Sequence, residues 1–278
     1  MHLALPDGRR YLLDRPKLMG VVNVTPDSFS DGGRFLDPAA AVAHGWTLAQ
    51  EGADVLDVGG QSTRPGAPPV PAAEQIRRVV PVLTQLSAQL QVHRSPVLLS
   101  VDTDEPDVAA AALDAGAMLI NDIHAGRKSG MLDLAARRCV PIVLMHMQGT
   151  PATMQQAPYY ADVVAEVRAF LWQRAAAAEA AGVSRERIIL DPGIGFGKTL
   201  AHNLALLRSL GRLTDTGYPV LLGTSRKNFL AQLNPELSPE MPPDFSPDFP
   251  PDFSVQAIQP SSHQATREVP LPPIENQK

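Results

Sequence analysis

The sequence predicts an α/β fold, a TIM-type (β/α)8 barrel with its eighth βα unit missing, followed by a disordered Pro-rich tail. Three observations carry this. Seven short Val/Ile/Leu-rich runs recur along the chain, continuous rather than alternating, as strands buried on both faces of a parallel sheet read. Ala-rich segments with helical spacing lie between them. The rhythm stops near Asn234, beyond which eleven of the 27 prolines fall.

In chain order, "LALPDGRRYLL" (3–13) places two apolar pieces around Pro6-Asp7-Gly8 and predicts a small hairpin. The apolar runs follow at 17–24, 54–60, 96–102, 118–122, 141–146, 187–191 and 219–223. Helices are expected in "PAAAVAHGWTLAQEG", "PDVAAAALDAG" and "YADVVAEVRAFLWQRAAAAEAAG". Pro38 and Pro106 stand where a first helical turn tolerates proline, and Gly52, Gly116 and Gly182 close the helices. An open, doubly wound sheet also fits alternating units, but seven similar ones favour a barrel of typically eight. The expected domains are a barrel over 1–234 and a tail over 235–278, the latter without an apolar run long enough for a core strand.

A content of 44% hydrophobic residues is enough for a sizeable core, and a net charge of −5 gives no basic footprint for nucleic acid or an anionic membrane. Cys139 is the only cysteine, which excludes an internal disulfide and suits a reducing compartment. The first residues lack the apolar core of a signal peptide, and no stretch approaches a membrane span. The expectation is a cytoplasmic protein.

In such barrels the chemistry sits at the C-terminal ends of the strands. Reading those ends gives Asn23, Asp57, Asp102, Asn121–Asp122, His146, Asp191 and Ser225–Arg226–Lys227. Any one Asp or Asn there can simply cap the next helix. Asp102, Asn121 and Asp191 together, aimed at one mouth, predict a shared ligand. Carboxylates accept from N–H groups and a carboxamide offers both donor and acceptor, which suits a flat nitrogen heterocycle. Lys227 adds a compact cation beside it.

Two loops, "NVTPDSFSDGG" (23–33) and "GGQSTRPGA" (59–67), have the Gly, Ser, Thr and Pro content of lids over a barrel mouth. "DPGIGFGKT" (191–199) fails as a phosphate-binding P-loop, because Pro192 stands where the pattern needs its first glycine. Its glycines instead suit a close backbone approach to a flat ligand, with Phe196 as a wall. The seven histidines show no metal-ligand spacing.

"GVVNVTPDSFSDGG", "DVGGQSTRPGA", "SVDT", "IND", "LMHMQGTP", "DPGIGFGK" and "GTSRK", in this order, resemble the dihydropteroate synthases over about residues 15 to 234. The resemblance implies a barrel transferase that joins 4-aminobenzoate to 7,8-dihydropterin-6-ylmethyl diphosphate and releases diphosphate. It implies that Asp102, Asn121, Asp191 and Lys227 hold the pterin, and that Asn23 contacts a Mg²⁺ carried by the diphosphate. Phe29 and Asp31 match the first closing loop, and Thr63 and Arg64 the second. Pro65, Phe196 and Lys227 would border the aminobenzoate pocket, and Ser225 and Arg226 would bind substrate.

The sequence departs from the family at three places. Gln61 replaces a common Glu, with a small expected effect, and Asn228 replaces a common Ser. The Arg-x-His of the family's last strand has no equivalent, because His263 and Arg267 lie in the Pro-rich tail. Two parallel-strand edges, the first and the seventh, are therefore expected to be unpaired, and the family's homodimer to be weakened or absent. Two other readings stay open: a pterin-dependent methyltransferase, and a catalytically impaired paralogue that only binds pterin.

Overall fold

The computed structural model describes residues 1–25, 38–62, 67–225 and 255–259. The expected hairpin is present. Strands β1 (His2–Ala4) and β2 (Arg10–Leu12) pair antiparallel, with Gly8 at φ 83°, a left-handed turn conformation that glycine adopts without strain.

Each apolar run forms a strand. These are β3 (Lys17–Asn23), β4 (Val55–Gly59), β5 (Leu98–Asp102), β6 (Leu119–Asp122), β7 (Ile142–Met145), β8 (Ile188–Asp191) and β9 (Val220–Gly223), each parallel to the next. Between them run α1 (Pro38–Gln50), α2 (Ala72–Val92), α3 (Pro106–Asp114), α4 (Met131–Arg137), α5 (Val163–Ala180), α6 (Leu200–Arg208) and α7 (Leu210–Thr214). Helix α3 starts on Pro106 and is followed by Gly116 at φ 108°, the expected start and stop. Asp162 begins α5 by accepting from the backbone N–H groups of Val164 and Ala165, each at 3.0 Å.

Alternation along each strand divides the core in two. One set of side chains, among them Met19, Val55, Leu98, Leu119, Val143, Ile189 and Leu221, packs inside the ring, where Leu3, Leu5 and Leu13 of the hairpin segment join it. The other set, including Val22, Val58, Val101, Ile120, Leu144 and Leu190, packs outward against the helices.

The expectation of two unpaired edges is overturned. Val255–Gln259 forms β10, which pairs antiparallel with both β3 and β9 and closes the ring. The stretch expected to lack a strand therefore supplies one. "VQAIQ" is short and broken by two glutamines, so a search for continuous apolar runs passes over it. The closing strand runs opposite to the seven others, unlike the strand of a βα unit.

The parallel register fixes where the strands end. Asn23 is opposite Gly59, Gly59 opposite Asp102, and Asp102 opposite Asn121, so these four ends share one rim. Within β10, Ala257 stands opposite Leu18 on one side and Leu222 on the other. An Ala257→Pro substitution removes an N–H from a strand paired on both sides. At ~1–3 kcal/mol for a buried partner left unmet, melting should fall by roughly 5 °C. An unchanged melting curve would mean that 255–259 does not close the barrel.

Candidate active site

Asn121, at the end of β6, is buried, and its Nδ2 donates to Oδ2 of Asp57 at 2.8 Å. Asp57 is 1% exposed on β4, and burial pushes its carboxyl above the ordinary value against the polar neighbours Ser100 and Asn121. Asp102 ends β5 in register with Asn121. Gly59 keeps the space beside it open: a Cβ there would stand 3.5 Å from Oδ2 of Asp102 and 3.8 Å from Oδ1 of Asn23. The carboxamide of Asn23 and the carboxylate of Asp102 therefore face one gap. Asp191 ends β8, buried, and its Oδ1 accepts from the N–H of Gly193 at 2.6 Å.

The structure thus brings Asn23, Asp102, Asn121 and Asp191 to one mouth, as the sequence predicts. Ser225 follows β9 at the same end. Arg226, Lys227, Phe29, Asp31, Thr63, Arg64 and Pro65 lie outside the described residues.

Asp122 and His146 point to other duties. Asp122 turns into its own loop, accepting from the N–H groups of His124 and Gly126, each at 2.7 Å. Burial pushes its carboxyl up to about 6. His146 is desolvated and lies beside the Lys198 ammonium, so its imidazole is pushed down to about 3. Its Nδ1 accepts from Lys198 at 3.0 Å, which places the imidazole proton on Nε2. Among the described residues no cluster of three His, Cys, Asp or Glu could hold a metal.

The loop after β8 is built around Lys198, whose role sequence reasoning missed. Its buried ammonium donates to the carbonyls of Gly193 and Phe196, each at 2.9 Å, and of His146 at 3.3 Å. The charge ties the loop to the end of β7 and is used up in doing so. Phe196 then packs against Ile123, Met145, Met147 and Met154, an apolar patch beside the polar rim. Phe196, expected as a wall, joins this patch of four other apolar residues. Met145 and Met147 stand in the quoted "LMHM", where two polarizable side chains flank a histidine, a signal readable as a flat contact surface.

Gln61, one of the departures from the family pattern, bridges the ends of its loop. Its Oε1 accepts from the N–H of Val70 at 2.8 Å and from Nε2 of Gln75 at 3.2 Å. A carboxylate would accept both, which agrees with the small effect expected.

The arrangement offers acceptors around one rim and an apolar face beside them, a shape for a flat ring with N–H groups on its edge. A family model described as a pterin binding enzyme matches residues 19–244. The dihydropteroate synthase of Escherichia coli strain K12 is 45% identical over 221 residues, covering 80% of this chain and 77% of that protein. That of Mycobacterium leprae is 48% identical over 219 residues, covering 78% and 75%. Among solved structures, Xanthomonas albilineans dihydropteroate synthase with 4-aminobenzoic acid superposes with a TM-score of 0.76 at 53% identity, covering 84% of this chain and 81% of that one. The same enzyme in complex with 7,8-dihydropteroate gives 0.72 at 50% identity, with the same coverage.

Two expectations follow from the loop. A Cβ on Gly193, at φ 64°, would stand 1.9 Å from the carbonyl oxygen of His146. Gly193→Ala should therefore cost more than the roughly 1–2 kcal/mol of a left-handed alanine, read by urea denaturation. A stability within experimental error of the unsubstituted protein would contradict this packing. For His146 the sign is that of a depressed folded-state value. The unfolded chain takes up a proton below about 6.5 that the native site refuses until about 3, so this residue removes stability as pH falls through that window. By NMR the His146 ring should show no titration between pH 5 and 8; a midpoint near 6.5 would refute the buried pair.

Proposed function

The chain belongs to the dihydropteroate synthases, a family of transferases, and from that premise we propose that it condenses 7,8-dihydropterin-6-ylmethyl diphosphate with 4-aminobenzoate. The observation that carries the reading is the convergence of Asp102, Asn121 and Asp191 on one mouth, beside the apolar patch that Phe196 joins. The rim supplies acceptors for the donor edge of the pterin ring, and the patch supplies a face for stacking. Lys227 completes this set from the segment after β9. Phe29 and Asp31, with Thr63, Arg64 and Pro65, serve as the covering loops. Pro65, Phe196 and Lys227 border the aminobenzoate, and Ser225 and Arg226 bind substrate.

In the reaction the aromatic nitrogen forms a bond to the methylene carbon, the bond from that carbon to the diphosphate oxygen breaks, and the nitrogen sheds a proton. The arylamine is a competent nucleophile without a strong base. Asp102 and Asp191 accordingly recognise the ring and stabilise charge on it rather than abstract a proton. Covering loops keep water from the electrophilic carbon.

The donor chemistry fits Mg²⁺. The Asn23 Oδ1 is a hard neutral oxygen facing the gap over Gly59, and this ion typically takes one or two protein ligands with phosphate oxygens and water for the rest. Asn23 would hold it, and the bound ion would offset the charge of the leaving diphosphate. We place the protein in the cytoplasm: no helix among the described residues is long and apolar enough to cross a membrane, and the single cysteine is free. Small molecules are its partners, and a net charge of −5 gives no basic footprint for nucleic acid or an anionic membrane.

Diphosphate release from purified protein is the test. Turnover should need pterin diphosphate, 4-aminobenzoate and Mg²⁺ together, and Asp191→Ala should cut kcat/KM by at least about a hundredfold, as loss of a charged ligand contact does. Pterin binding without turnover would instead identify the catalytically impaired paralogue, and turnover that transfers a methyl group would identify the methyltransferase.

A further inference from the structure

We propose that Asp57 is a positioning residue for the pterin site, one that orients the Asn121 carboxamide so that its carbonyl oxygen, not its amino group, meets the ligand. The inference rests on the reading of the mouth as a pterin site. It explains a buried acid that the reaction does not use.

Asp57 sits on β4 two residues before Gly59 and on the same face, one level down inside the ring. Its Oδ2 accepts from Nδ2 of Asn121 at 2.8 Å. An ionised carboxylate only accepts, so an amide carbonyl turned toward it would set two acceptors against each other. The amino group of Asn121 is thereby directed to Asp57. With Nδ2 so engaged, Oδ1 of Asn121 is the atom turned to meet a ligand.

A purely structural role accounts poorly for this acid. Asp57 stands opposite Ser100 in the register, and both polar side chains are buried inside the ring. A ring interior built for stability alone would carry an apolar residue at this level, as it does one level down at Val55 and Leu98. The cost is offset if the acid fixes the sense of the amide above it. With that sense fixed, Asp102, Asn121 and Asp191 all present oxygen, and the rim selects a ring edge made of N–H donors. Reversal of the amide would bring an NH₂ group against that edge.

Isothermal titration with the pterin diphosphate in Mg²⁺ tests this on the full chain. Asp57→Leu, similar in volume, should raise Kd about tenfold or more by freeing the amide, while circular dichroism shows a folded protein. Asn121→Asp alone should also weaken binding, because two carboxyl groups then face each other. Combining Asp57→Asn with Asn121→Asp should restore Kd to within about threefold of the unsubstituted protein, since the lower group now donates and the upper keeps an oxygen for the ligand. Unchanged binding by Asp57→Leu, or no recovery in the exchanged pair, would overturn the inference. If Asp57→Leu does not fold, the exchanged pair decides alone. Failure of the unsubstituted protein to bind would sink the pterin reading itself, a result separate from either variant outcome.

Discussion

A strand buried on both faces can carry polar side chains cheaply only at its ends, and the rest of this molecule follows from that constraint. Backbone groups are satisfied by neighbouring strands, but a polar side chain in the middle has no water and few partners. The seven parallel strands obey. Their centres hold Val, Leu and Ile on both faces, and their C-terminal ends hold Asn23, Asp102, Asn121 and Asp191. The same constraint forbids open edges, and β10 meets that need by pairing with β3 and β9 in the antiparallel direction. Asp57 and Ser100 are the departures, and they lie directly beneath the rim.

The site divides its work between two surfaces. Carboxylate and carboxamide oxygens on β5, β6 and β8 form the polar rim, which in the proposed function meets the edge of a ring, and Ile123, Met145, Met147, Met154 and Phe196 form the apolar patch beside it. The loop that carries Phe196 is held by a buried cation. Lys198 spends its donors on backbone carbonyls and on His146, which stays neutral as a result of burial and that neighbouring charge. A fixed interior charge is a rigid way to place a loop, because its loss would leave several buried carbonyls unmet. Gly193 contributes the other requirement, a backbone approach so close that no side chain fits.

Much of this was legible in the amino-acid order. Continuous apolar runs marked all seven parallel strands to within two residues, because burial on both faces leaves little freedom in composition. The polar ends were legible for the complementary reason. Three things were not. The strand at Val255–Gln259 is defined by the gap it fills, a tertiary demand that five residues with two glutamines state only weakly. Asp122 looked like a rim residue, but its carboxyl folds back on the N–H groups of His124 and Gly126, a loop geometry that spacing does not encode. Lys198 looked like a fragment of a phosphate loop, and its burial against four acceptors depends on where β7 ends. Asp57 was visible as a polar strand residue, while its bond to Asn121 needed the register of three strands.

The central claim is that the rim is a set of acceptors reading the N–H edge of a pterin. The most direct measurement compares binding of the pterin diphosphate with that of a counterpart bearing oxo in place of the 2-amino group, in Mg²⁺ by isothermal titration. The account predicts that the oxo compound binds at least about a hundredfold more weakly, because carbonyl oxygens would then face buried carboxylates. Equal affinity for the two compounds would contradict it.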